Sequence, residues 1–346
     1  MESSLVLVAN SGDDSISTFR FSGGDSPTME RLAVSPVGKG CSAFVVDAER
    51  DLVYASAKGE DAPIDVFSLD RASGALSQVG SLPQAGPMVY FTLAHDNTLL
   101  AGCSYHGGFA LVAPVDREGG IGEPTGRVDW PNAHSVVVAD GGRHLYLVSL
   151  GADLVAQYEL SPAGELTPLD PPTVAAPEGS GPRHLVFNDD ETRAYLLTEY
   201  GGEVLVFDRD QESGALTQRS SQVAHATDRG LKHSRFGADP VEEHLIWGAD
   251  LHLARDEQYL LASERCESTL ASLPVEDDGD LAEIRSLIEV EKQPRGFAVS
   301  PDGRWAVVAG EKSTMVSLVS IGEDGRLRPV SRHETGAGAN WVRFVS

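Results

Sequence analysis

The feature that most constrains this chain is a repeat. A Gly-x-Leu/Ile element recurs at Gly74, Gly119, Gly164, Gly214, Gly279 and Gly325, with successive steps of 45, 45, 50, 65 and 46 residues. Each occurrence (SGAL, EGGI, AGEL, SGAL, DGDL, DGRL) reads as a hairpin turn joining two strands. A second series keeps step with the first: GCSAFVV, GPMVYFT, NAHSVVV, GPRHLVF, GADLHLA, QPRGFAV and GANWVRF. Their third residues are Ser42, Met88, His134, Arg183, Asp250, Arg295 and Asn340, separated by 46, 46, 49, 67, 45 and 45 residues. Further turn signals such as ADGGR and SPDGR lie between them, flanked by short β-branched runs, so each unit holds about four strands. Units of roughly 40 to 50 residues with four strands are the blades of a β-propeller.

The ends of the chain set the blade count. The last unit start, NWVRFVS, stops after one strand, whereas SLVLVANSGDDSISTFRF near the beginning supplies strands that lack an innermost partner. Together they complete one blade, which predicts an all-β, seven-bladed β-propeller over residues 1–346, closed by pairing of N- and C-terminal strands. Closing the ring removes exposed sheet edges. The long step of 67 places an insertion at about 226–246, between blades 5 and 6, with a small basic cluster of Lys232, His233 and Arg235.

Composition narrows the function. The chain carries 52 Asp+Glu against 27 Lys+Arg, a formal charge of −25, which argues against nucleic acid or an anionic membrane as partner. No apolar run approaches the roughly 20 residues that span a bilayer, and the first residues lack a basic, then apolar, leader pattern. Cys41, Cys103 and Cys266 are too far apart for a disulfide framework or zinc-type spacing, so a cytoplasmic location is expected.

Against that acidic background, polar residues interrupt the starts of the inner strands. Equivalent positions of a propeller's inner strands form a ring around the central channel, and Ser42, His134, Arg183, Asp250, Arg295 and Asn340 make most of this ring polar. The second strand of each blade runs back antiparallel, so Glu199, 16 residues after Arg183, and Glu311, 16 after Arg295, return to the same mouth. His184 and His252 fall nearby. Two arginines with histidine and glutamate suit an anionic small molecule, because guanidinium groups grip carboxylate or phosphate with two parallel hydrogen bonds.

The units GPRHLVF, TEY, WGADLHLARDEQYLLASER, QPRGFAVSPDGRWAVVAGE and GAGANWVRF resemble the seven-bladed propeller lactonase family, which includes bacterial 6-phosphogluconolactonases and the 3-carboxy-cis,cis-muconate lactonizing enzyme. The resemblance covers essentially the whole chain and is strongest from about residue 180 onward. It implies a catalytic group of His134, Glu199, Arg183 and Arg295, with no cofactor and no metal. His184, Asp250, His252, Glu311 and Asn340 are then expected as substrate-binding neighbours.

Opening a lactone requires water to attack the ring carbonyl, a general base to take its proton and a cation to hold the oxyanion. Glu199 or His134 can be the base, and Arg183 and Arg295 the cations. The same residues could serve cycloisomerisation of a carboxymuconate. A non-enzymatic binding scaffold lacks support from WD40-type dipeptides. A calcium-dependent lactonase using Glu199, Asp250 and Asn340 would go with six blades rather than seven.

Overall fold

The structure, a computed structural model, describes residues 3–24, 26–59, 61–84 and 86–345. The outermost residues of the expected span, Met1, Glu2 and Ser346, lie outside it. Seven four-stranded antiparallel sheets form the blades. Their inner strands, in chain order from blade 2, are Phe44–Asp47, Tyr90–Ala94, Ala133–Ala139, Pro182–Phe187, Gly248–Ala254 and Pro294–Val299, and blade 1 takes Ala339–Val345.

Burial explains the strand composition. In blade 7 the second strand, Trp305–Gly310, reads WAVVAG and is buried throughout, because blades on both sides cover both of its faces. A strand covered on both faces loses the usual polar alternation. The outermost strand of the same blade, Leu327–Glu334, reads LRPVSRHE and is largely exposed. The apolar core therefore lies in slabs between blades, as where Val6, Val8, Phe19 and Phe21 of blade 1 meet Val307 and Leu318 of blade 7.

The six repeat glycines occupy the turns between third and fourth strands, all with left-handed φ between +73° and +87°. A β-carbon at Gly119 would stand 1.9 Å from Leu52 of the preceding blade, so both conformation and space demand glycine there. The neighbouring blade fastens several of these turns: Tyr54 donates to the Gly119 carbonyl (3.1 Å), Tyr146 to Gly214 (2.6 Å) and Tyr195 to Gly279 (2.9 Å).

Ring closure follows the split blade. Ala339–Val345 pairs antiparallel with Ser3–Asn10, Leu5 opposite Val345 and Val8 opposite Val342. The Trp341 indole is buried and donates to the Phe44 carbonyl of blade 2 at 2.8 Å. The insertion between Leu216–Val223 and Gly248–Ala254 includes one helical turn, Pro240–Glu243, capped by the Asp239 carboxylate. A parallel bridge between Lys232 and Leu245 ties its ends, and Leu245 and Ile246 are buried.

Candidate active site at the channel mouth

A shared local device starts the inner strands. Two residues before the ring position the backbone is left-handed in five blades, at Gly40, Asn132, Gly181, Gln293 and Gly338, with φ of +63°, +50°, +63°, +56° and +70°. The ladder to the second strand then skips residues: His134 in blade 4, Arg183 in blade 5, Ala249 and Asp250 in blade 6, Arg295 in blade 7 and Asn340 in blade 1. A β-bulge leaves the extra residue unpaired and re-aims its side chain. Here those side chains are the ring residues.

The same device brings the second strand's end to the ring. The carbonyl of left-handed Gly181 accepts from the Glu199 N–H at 2.6 Å, and that of Gln293 accepts from the Glu311 N–H at 3.0 Å. Each glutamate thus lies beside its arginine. Arg183 Nε donates to Glu199 Oε2 at 2.9 Å, and Arg295 Nη1 to Glu311 Oε1 at 3.0 Å.

A cavity of about 200 Å³ opens above this group, lined among others by Lys58, Tyr105, His134, Arg183, Glu199, Trp247, Arg265 and Arg295. All four expected catalytic residues therefore meet at one cavity. Arg183 is only 1% exposed; its Nη1 donates to the Ala249 carbonyl. Arg265 also pairs with Glu311, and its guanidinium lies 3.3 Å from the centroid of the Trp247 ring. His134 packs edge-on against Tyr105 and His184, with centroids 5.6 and 5.2 Å away, and its Nδ1 has no hydrogen-bond partner among the described residues.

The electrostatics separate the titratable groups. Burial, with Arg183, His184 and Arg295 close by, holds the His134 imidazole well below the usual histidine range. Burial and Arg183 push His184 down to about 3. Both rings are neutral at pH 7. Burial alone would raise the Glu311 carboxyl, but Arg295 and Arg265 outweigh it and bring it to about 2. Burial lowers Arg265 to about 10, which leaves it charged at neutral pH.

The expected substrate neighbours are placed differently. Among the described residues the cavity lining does not include His184, Asp250, His252, Glu311 or Asn340. Glu311 stands behind the cavity as counter-ion to two arginines, and His184 and Asp250 form a buried pair at 2.8 Å behind Arg183. His252 lies 3.4 Å from Asp250 and packs edge-on against Phe297. Asn340 is buried, with its Oδ1 unpartnered among the described residues. Nor does the insertion's basic cluster line the cavity: Arg235 is paired with Glu243 at 2.8 Å. Trp247, just after the insertion, lines it instead.

Lys58, Tyr105, His106, Trp247 and Arg265 are lining residues that sequence reading did not select. The offset that finds Glu199 and Glu311 also finds Lys58, since 42 + 16 = 58, and it falls one residue beyond Arg265, since 250 + 15 = 265. Among the described residues one set of possible metal ligands, His244, Cys266 and Glu267, has its ligand atoms within 4.8 Å of one another. It lies off the cavity, with Arg229 already 3.2 Å from Glu267 and the Cys266 thiol donating to the Pro240 carbonyl.

Fold and site together define a seven-bladed propeller with a cationic central pocket. Residues 7–344 match the family described as lactonase, 7-bladed beta-propeller, and the chain belongs to that family. The 6-phosphogluconolactonase of Sodalis glossinidius is 27% identical over 344 residues, 99% of each chain. That of Serratia proteamaculans is 28% identical over 279 residues, 80% of each chain. The periplasmic gluconolactonase of Pseudomonas aeruginosa superposes with a TM-score of 0.87 at 25% identity, covering 100% of this chain and 99% of the other. No helix of the described residues is long and apolar enough to cross a membrane.

Proposed function

We propose that this protein hydrolyses a phosphorylated sugar lactone, 6-phosphoglucono-δ-lactone. The carrying observation is the charge of the cavity: Lys58, Arg183, Arg265 and Arg295 line it with one carboxylate, Glu199, in a chain of net charge −25. Such a pocket concentrates a small anion that the rest of the surface repels. The names of the relatives point to the same substrate. Three unpaired cysteines, two of them buried, support a reducing, cytoplasmic setting.

Glu199 serves as general base. Its Oε2 is held by Arg183, while Oε1 has no hydrogen-bond partner among the described residues and is free to face a water. His134 is less suited, because a neutral imidazole so far below its usual range is a weak base. As water oxygen adds to the lactone carbonyl carbon, its proton passes to Glu199. Arg183 stabilises the oxyanion, and Arg295 with Arg265 holds the phosphate. The ring C–O bond then breaks, and Glu199 returns the proton to the departing ring oxygen. His134 hydrogen-bonds the lactone without adding charge. Base catalysis of this kind contributes roughly 10²–10⁴-fold.

The test offers freshly prepared 6-phosphoglucono-δ-lactone, couples product to 6-phosphogluconate dehydrogenase and compares the rate with spontaneous opening. Carboxymuconate is followed in parallel by its ultraviolet absorbance. Clear acceleration of the lactone reaction is expected. A rate equal to the spontaneous one, or turnover of carboxymuconate alone, contradicts the proposal.

A further inference from the structure

Asp250 occupies a ring position, yet its carboxylate is 4% exposed and does not line the cavity. All its acceptor capacity is spent inside the protein. Oδ1 accepts from His184 Nδ1 at 2.8 Å and from the Leu251 N–H at 3.1 Å. Oδ2 accepts from the Phe297 N–H at 3.2 Å and faces His252 Nε2 at 3.4 Å. These partners belong to three adjacent blades, 5, 6 and 7.

Two of the contacts lead to the cationic groups of the cavity. His184 follows Arg183 in the chain, and its ring nitrogens lie 3.1 and 3.4 Å from Arg183 Nη1. Because one guanidinium nitrogen is nearly equidistant from both ring nitrogens, it sits over the N–C–N part of the ring face rather than along a single lone pair. The ring is therefore a rest for the guanidinium, and burial with Arg183 keeps that ring neutral. Arg183 Nη1 also donates to the carbonyl of Ala249, the residue before Asp250. On the other side, Phe297 is two residues beyond Arg295, on the same bulged strand.

The bulges that turn Arg183 and Arg295 toward the cavity also remove ladder bonds from their strands. The Asp250 carboxylate ties the two strands from behind: it accepts from a backbone N–H of the Arg295 strand and from the His184 side chain beside Arg183. Its negative charge, close behind Arg183, also offsets the cost of burying that guanidinium; a buried charge without such compensation is costly.

We propose that Asp250 is the positioning residue of the anion site: through His184 and the Phe297 N–H it fixes the spacing and orientation of Arg183 and Arg295. It touches no substrate. The Nδ1–H tautomer of His184 is the form this arrangement requires, with Asp250 as its acceptor, as supporting carboxylates do for functional histidines elsewhere. The kinetic side of the proposal rests on the lactonase reading above, and the binding side rests on it only for the choice of a phosphorylated sugar acid as the anion.

The test is Asp250→Asn, which keeps size and shape but turns one oxygen into a donor. Whichever way the amide sits, that donor meets N–H groups of His184 and Leu251 or of Phe297. Affinity for 6-phosphogluconate, measured by calorimetry and normalised to the folded fraction, should fall about tenfold or more. KM for the phosphorylated lactone should rise in parallel, and kcat should change less. A merely structural role would reduce the folded fraction and leave affinity and KM of the folded molecules unchanged, which would overturn the proposal. So would a folded variant that binds like wild type. Should Asp250→Asn fail to fold, His184→Asn carries the same test: it keeps a donor for Asp250 but removes the ring beneath Arg183, so affinity should again fall, and wild-type affinity would refute the idea. If wild type opens no lactone yet binds 6-phosphogluconate, the functional reading fails while the binding arm still decides this one.

Discussion

Two Arg–Glu pairs, Arg183 with Glu199 and Arg295 with Glu311, share the same 16-residue offset and the same bulge geometry. They differ in their company. Glu311 is clamped between Arg295 and Arg265, with both oxygens engaged. Glu199 bonds Arg183 through one oxygen and lines the cavity with the other side of its carboxylate. The arginines also differ in exposure: the Arg183 side chain is 1% exposed and that of Arg295 21%. In blade 7 the cation is presented and the anion is a counter-charge engaged through both oxygens. In blade 5 the cation is buried and the anion is presented. One sequence pattern thus yields an anion-holding pair and a base-presenting pair, and a third arginine from blade 6 makes the difference.

That contrast can be broken first by turnover. Glu199→Gln should lower kcat by about 10²–10⁴-fold, the usual worth of a general base. Glu311→Gln should lower it far less. Equal losses in steady-state assays would erase the distinction.

The next largest effect concerns stability. Arg295 and Arg265 bring the Glu311 carboxyl to about 2 in the folded protein, below its ordinary value of 4.5. A lowered carboxyl contributes stability that is fully present above pH 4.5 and lost as the pH falls from there toward 2. Removing its charge leaves two arginines short of a partner, so Glu311→Gln should cost ~3 kcal/mol at pH 7. Its melting temperature should also fall less steeply than that of wild type over the acid range. A variant that melts in parallel with wild type across that range would show that Glu311 is not the clamped counter-ion.

The smallest effect sharpens the presented cation. Arg295→Lys keeps the charge but loses the two-pronged donor, so KM for the phosphorylated lactone should rise about tenfold, near 1.4 kcal/mol, with kcat little changed. Arg183→Lys should affect kcat as well, because Arg183 also holds Glu199 and the oxyanion. Identical kinetic profiles for the two lysine variants would mean that the arginines are interchangeable.

The fold was legible because each blade repeats residues with a strict backbone demand. The six turn glycines all need left-handed φ, and the split repeat forces Ala339–Val345 onto Ser3–Asn10. The ring was legible as a series of polar interruptions, and His134, Arg183, Glu199 and Arg295 do meet at one cavity. What the pattern could not convey is which bulged side chain points into the cavity. Asp250 and Arg183 occupy the same place in their repeats, but Asp250 is drawn behind by His184 and the Phe297 N–H. Lys58 and Arg265 enter from second-strand ends, where the offset drifts by one residue between blades. Trp247 lines the cavity directly after an insertion whose last residues, Leu245 and Ile246, are buried. Such placements depend on contacts between blades, which no periodicity within one blade records.

The central claim is that Glu199 acts on the reacting water while the arginines hold the anion. Equilibrium binding of 6-phosphogluconate to Glu199→Gln, beside wild type, tests it most directly. Affinity equal to wild type or tighter is predicted, with turnover lost, since removing the carboxylate takes one negative charge out of an anion site. Affinity that collapses together with turnover would show that Glu199 builds the pocket rather than performing the chemistry.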